Sequence, residues 1–127
     1  MRFISLSFLV LLGSCGSQEN KFVLTGKADV ADGTKIYVLQ ADQNNQPYIK
    51  DSTTVQSNNF KFQGISSTPQ ISYIQVEGVN GYVLAILENG DIKADLFKDS
   101  ISKSKVYGTK SNDDFIKYKS ETKFLVD

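Results

Sequence analysis

An all-β fold is predicted: an antiparallel β-sandwich or partly open barrel of about seven to eight short strands, with a C-terminal helix. Three observations predict it. Asp32-Gly33, Asn80-Gly81 and Asn89-Gly90 are tight-turn pairs set at hairpin spacing. Runs such as Phe60-Lys61-Phe62 alternate apolar with polar in the period of two of a half-buried strand. Past Ser111 the period changes to that of a helix.

Ahead of the strands, Arg2 gives a minimal positive start, and Phe3, Ile4, Leu6, Phe8, Leu9, Val10, Leu11 and Leu12 make an apolar run. The run is shorter than the ~20 residues of a membrane span and reads as a signal peptide over residues 1–14. It closes in Leu12-Gly13-Ser14-Cys15. That stretch resembles a bacterial lipoprotein cleavage site, which implies a diacylglyceryl group on the Cys15 thiol and cleavage before it. Each buried methylene adds ~0.8 kcal/mol, so two or three acyl chains on one residue make a lasting anchor. Residues 15–21 are then a lipidated N-terminus and polar linker, and residues 22–109 the β domain.

Phe22, Leu24, Gly26 and Ala28 alternate with Val23, Thr25 and Lys27, Asp32-Gly33 turns the chain, and Lys35 to Leu39 runs back, which predicts a first hairpin. Asp42, Asn44, Asn45 and Pro47 form a second turn, with Pro47 restricted to a strand start or an edge, and a strand from about Tyr48 to Val55 follows. Ser57-Asn58-Asn59 is the third turn, and Phe60-x-Phe62 then buries both rings on one face. Ser66, Ser67, Thr68 and Pro69 break the pattern. Ile71 to Val76 and Tyr82 to Leu87 are predicted to pair through Asn80-Gly81, the second run lying centrally because it is apolar on both faces. After Asn89-Gly90, Ile92, Ala94 and Leu96 face inward and Asp91, Lys93 and Asp95 outward. Asp99 to Ser104 reads as a loop and Lys105-Val106-Tyr107 as a brief strand. Ser111 with Asp114 three residues on is a capping-box pattern that predicts a helix from about Asn112, with Phe115, Tyr118 and Leu125 on one face. Residues 110–127 form a helical connector that is expected to be cut short, because Phe124, Leu125 and Val126 have no following segment to cover them.

Composition excludes several classes of function. Fourteen basic and fourteen acidic residues balance, so no strong field draws nucleic acid. A single cysteine and no histidine leave no internal disulfide, no dithiol chemistry and no basis for zinc. No cofactor is expected. Asp51-Ser52 suggests a nucleophile but lacks a histidine base, so a carboxylate accepting hydrogen bonds at a strand kink is the reading adopted. Asp42-x-Asn44-Asn45 lacks the glycine and terminal glutamate of a calcium loop and reads as a turn. Glu88 has no second carboxylate placed near it by the sequence. Tyr37, Tyr48, Tyr73, Tyr82, Tyr107 and Tyr118 read as residues flanking a sheet rather than as a sugar platform, and Lys103-x-Lys105 as a solvated loop. No catalytic residue, cofactor site or metal site is assigned.

One set of short pieces carries a family resemblance: Phe22-x-Leu24-x-Gly26, Asp51-Ser52, Phe60-x-Phe62-x-Gly64, Leu87-Glu88-Asn89-Gly90-x-Ile92, and Val106-x-Gly108-Thr109-x-x-Asn112-Asp113-x-Phe115-x-x-Tyr118. In their order and spacing they resemble domain of unknown function 4369, the N-terminal domain of thiol-disulfide oxidoreductase lipoproteins of Gram-negative bacteria. In such proteins a helical connector leads into a thioredoxin-like domain bearing Cys-x-x-Cys, which this sequence does not contain. The Ser57-Asn58-Asn59 turn departs from the family's usual Asp-Gly pair. The resemblance implies attachment to the inner or outer membrane, with the domain in the periplasm or at the cell surface. The resulting expectation is a non-catalytic, lipid-anchored cell-envelope module for interaction or positioning, with the membrane and an envelope protein as partners. The alternatives are an accessory or substrate-recruiting role in thiol-disulfide exchange, or a surface glycan- or ligand-binding lipoprotein.

Overall fold

The computed structural model describes residues 21–126, and side chains through Thr122. Eight strands form two four-stranded sheets packed face to face. β1 (Lys21–Ala28), β4 (Asn59–Ile65), β7 (Gly90–Leu96) and β8 (Lys105–Tyr107) lie in the order β4-β1-β7-β8. The second sheet holds β2 (Lys35–Ala41), β3 (Pro47–Thr54), β5 (Gln70–Val76) and β6 (Val83–Leu87) in the order β3-β2-β5-β6. A short 3-10 turn, Ile101–Lys103, precedes β8, and α1 (Lys110–Val126) packs against β8 and β6. The fold is an all-β sandwich, as expected, with separate sheets rather than a barrel.

Strand alternation builds the core. Leu24 of β1, Ile36 of β2, Ile74 of β5, Leu87 of β6, and Ile92 and Leu96 of β7 are buried between the sheets, each such side chain contributing roughly 1.5–3 kcal/mol. Gly26 allows one close approach: a Cβ there would meet Cζ of Phe60 at 2.1 Å. The ring of Phe60 takes that space and packs edge-on against Phe62, with centroids 6.0 Å apart.

Two of the expected hairpins form, β2 with β3 and β5 with β6. Neither Asp32-Gly33 nor Asn89-Gly90 closes a hairpin, because β1 and β2, like β6 and β7, belong to different sheets. β1 instead pairs antiparallel with β4 and parallel with β7. The Asp32-Gly33 turn still reverses the chain, with Gly33 at φ 88°, but it carries it across the sandwich. Ser57-Asn58 likewise crosses from β3 to β4. Both residues have positive φ, 52° and 65°, and paired Gln56–Asn59 backbone bonds of 2.9 Å close the turn. β6 is an edge strand rather than a central one. Val83, Ala85 and Leu87 are buried while Leu84 and Ile86 are only half-buried, so its apolar character serves one full face and one partial face. Asn80-Gly81 belongs to a longer β5–β6 loop, in which Gly78 and Gly81 take positive φ.

Candidate functional site

The densest set of long-range polar contacts among the described residues lies where the β6–β7 turn meets the start of α1. Asn112 is buried. Its Oδ1 accepts the Ile86 N–H at 2.9 Å, and its Nδ2 donates to the Ile86 carbonyl at 2.8 Å and to Thr109 Oγ1 at 2.7 Å. The amide thereby reproduces, on the outer edge of β6, the donor–acceptor pair that a neighbouring strand would offer, and it satisfies an edge that would otherwise be open. Glu88 completes the junction. Its carboxylate accepts the Ser111 N–H at 2.8 Å and the Ser111 hydroxyl at 2.9 Å, placing negative charge on the N–H groups of the helix start.

Those contacts move the helix boundary. α1 begins at Lys110, ahead of the expected Asn112, because Ser111 is drawn to Glu88 instead of capping its own helix. Asp113 Oδ1 accepts the Gly108 N–H at 2.8 Å. Gly108 itself stands at φ 104°, and a Cβ there would lie 2.9 Å from the Asp91 carbonyl oxygen. Phe115 is half-buried, whereas Tyr118 is exposed. Leu125 lies outside the described side chains.

Asp51 has the role expected of it. Its Oδ1 accepts the Ser52 N–H at 2.8 Å, at the place where the β2–β3 register slips between Val38 and Leu39. The carboxylate steadies a β-bulge. Beside the bulge a cavity of about 210 Å³ opens between the edges of the two sheets, lined by Phe22, Val38, Phe62 and Leu87 with Lys50 and Asp51 at its mouth. Asp42 Oδ1 accepts the N–H groups of Asn44 and Gln46, and Asn45 takes φ 61°, so this loop is a turn held by its own carboxylate.

The tyrosines are spread over the surface. Tyr73 and Tyr82 meet edge-on with centroids 6.2 Å apart, Tyr48 donates to Gln40 Oε1 at 3.3 Å, and Tyr107 donates to Asp95 Oδ2 at 3.3 Å. Lys103 and Lys105 are exposed. Among the described residues no group of three His, Cys, Asp or Glu side chains could hold a metal ion. No helix among them is long and apolar enough to cross a membrane. Leu12, Gly13, Ser14 and Cys15 lie outside the described residues.

Sequence reading missed two features. The Glu88–Ser111 and Ile86–Asn112 partnerships join positions more than twenty residues apart, and no local pattern pairs them. Surface apolar groups are the other: Ile49, Ile65 and Ile71 are each more than half exposed, at positions that alternation alone assigns to a wet face.

Among curated proteins, none matches this chain. A family model does, over residues 16–115, which takes in every strand, the Glu88 junction and the first turns of α1. The chain belongs to the family described as Domain of unknown function (DUF4369).

Proposed function

We propose that the chain is a non-catalytic, lipid-anchored module of the cell envelope, tethered through Cys15, that positions or docks a partner. The observation that carries this reading is how the polar side chains are used. Glu88, Asn112, Asp51 and Asp42 are each engaged in holding a helix start, an edge, a bulge or a turn. The sheet containing β3 and β5 meanwhile shows Ile49, Ile71 and Tyr73 to solvent, a surface suited to contact rather than to bond-making. The Leu12 to Cys15 stretch supports the anchor. A recruiting role in thiol-disulfide exchange, the alternative that the resemblance carries, needs its dithiol from another domain or protein, since this chain has one cysteine.

Metabolic labelling with a radioactive fatty acid tests the anchor. The wild-type chain is expected to take up label and to sediment with membranes, and Cys15→Ala to lose both. Label and sedimentation unchanged in Cys15→Ala would refute the anchor.

A further inference from the structure

The lipid-anchor reading constrains how the domain stands on a bilayer. Six residue steps separate Cys15 from Lys21, the first residue of β1, so the tether reaches about 20 Å at most. The strands of seven and eight residues make the sandwich about 25 Å long. A domain standing on the end opposite Lys21 would hold β1 beyond that reach.

The end at which β1 starts has its own character. It also holds the end of β4, the start of β5, the end of β6 and the start of β7. Ile65, the last residue of β4, is 73% exposed and sits directly opposite Lys21 in the β1–β4 register. Ile71, the second residue of β5, is 61% exposed. The two belong to different sheets and are joined by the short 66–69 connection, so they straddle the end, and only the end presents both. Ile49 follows a little farther up β3 at 58%. The opposite end exposes Tyr82 and Phe97 but no isoleucine. Of the carboxylates near the tether end, Asp42, Asp51, Glu88 and Asp113 are engaged by N–H groups, Asp114 pairs with Lys110, and Asp91 is exposed. Lys21 and Lys50 bring cations to the same region, and neither forms an ion pair among the described residues.

From this geometry, and resting on the lipid-anchor reading, we infer that the sandwich sits on the membrane by its Lys21 end, with Ile65 and Ile71 set among the lipid headgroups and upper acyl segments. Branched apolar side chains without a polar group gain by leaving water at that boundary, and a lysine beside them keeps its ammonium at the headgroup level. The strands then rise from the bilayer, and the end with Tyr82 and Phe97 faces away from it.

Nitroxide accessibility of the full lipidated chain tests this. The probe is vesicles of phosphatidylethanolamine and phosphatidylglycerol, and the variants are Ile65→Cys, Ile71→Cys, Tyr73→Cys, and Asn80→Cys and Lys103→Cys at the far end. Because lipid occupies the Cys15 thiol, each variant offers a single labelling site. Labels at positions 65 and 71 are expected to show a several-fold higher ratio of oxygen to nickel-chelate collisions than labels at 80 and 103. A chain that floats with the vesicles but gives equal ratios at all four overturns the orientation and leaves the anchor standing. A water-exposed label at 65 with lipid-exposed labels at 71 and 73 overturns it too, by laying the domain on its β5 face. Spin–spin broadening at 65 and 71 without oxygen enrichment overturns it in favour of a second copy on that surface. A chain that carries no lipid by mass spectrometry and fails to float overturns the anchor and the orientation together.

Discussion

Replacing Asn112 by alanine should cost more stability than any other single side-chain truncation on α1. The asparagine makes three hydrogen bonds, two to the main chain of Ile86 and one to Thr109. Without it, a backbone N–H and C=O on β6 lose their partners in a setting that α1 shields from water. An abandoned buried donor or acceptor costs about 1–3 kcal/mol, and because Ile86 is only half-buried one of the two groups regains water, which leaves one unpaired group and about 1–3 kcal/mol. For a domain of this size that lowers Tm by about 5–20 °C, readable by circular dichroism and by the urea midpoint. Asn112→Asp sharpens the test. It keeps an oxygen facing the Ile86 N–H but sets a second oxygen against the Ile86 carbonyl and buries a charge. Its carboxyl should titrate above the unfolded value of about 3.9, so the variant's native state is favoured below that value and loses ground as pH rises through the higher folded one. The gap between Asn112→Asp and wild type should therefore narrow on acidification. A loss below about 0.5 kcal/mol in Asn112→Ala, the range of an ordinary surface change, or a pH-independent gap in Asn112→Asp, would refute the edge-pairing role.

Two further outcomes follow from the geometry. Gly26→Ala forces the Phe60 ring from its place, since the new Cβ would lie 2.1 Å from Cζ and 2.3 Å from Cε1, and should destabilise by about 1–3 kcal/mol; adding Phe60→Leu should recover part of this, and strict additivity in a double-mutant cycle of urea midpoints would count against the contact. The Asp95 carboxylate raises the Tyr107 phenol above its ordinary value, with burial and their hydrogen bond acting in the same direction, so the folded chain holds that proton more tightly than the unfolded one. The stabilisation is present below about pH 10 and is lost as pH rises through the higher folded value; an absorbance titration should show Tyr107 ionising late in the wild type and not in Asp95→Asn.

Local signals in the sequence report local geometry and stop there. Asp32-Gly33 and Ser57-Asn58-Asn59 mark reversals that occur, yet neither pairs the strands it joins. A turn dipeptide specifies backbone dihedral angles at two residues and carries no information on whether the returning strand hydrogen-bonds beside its predecessor or crosses to the other layer. That choice is made by partners far along the chain, as when β1 takes β7 as a parallel neighbour. Tyr82 to Leu87 illustrates the same limit. Six apolar residues in a row suggest burial on both faces, but β6 lies at an edge, where α1 packs against it and Asn112 takes up the main chain of Ile86. By contrast, the period-two pattern of β7 and the bulge at Asp51 were legible, because alternation and a carboxylate beside its own backbone are short-range facts.

Most residues that carry the family resemblance, the exposed Tyr118 apart, have structural tasks, and this bears on where function is to be sought. Phe22, Leu24, Phe60, Phe62, Leu87, Ile92 and Val106 fill the core. Gly26 admits Phe60, and a Cβ on Gly64 would press on the Phe22 ring at 3.0 Å. Asp51 holds the bulge, Glu88 the helix start, Asn112 the β6 edge and Asp113 the Gly108 turn. Each requirement is met by the fold itself, without a ligand, so a match to these positions identifies the scaffold and leaves its partner unspecified. Ile65, Ile71, Tyr73 and Tyr82 lie outside those pieces and are exposed, and apart from the edge-on contact of Tyr73 with Tyr82 no packing requirement of the sandwich accounts for their apolar character. Contacts made by this domain are therefore to be sought on these surface positions.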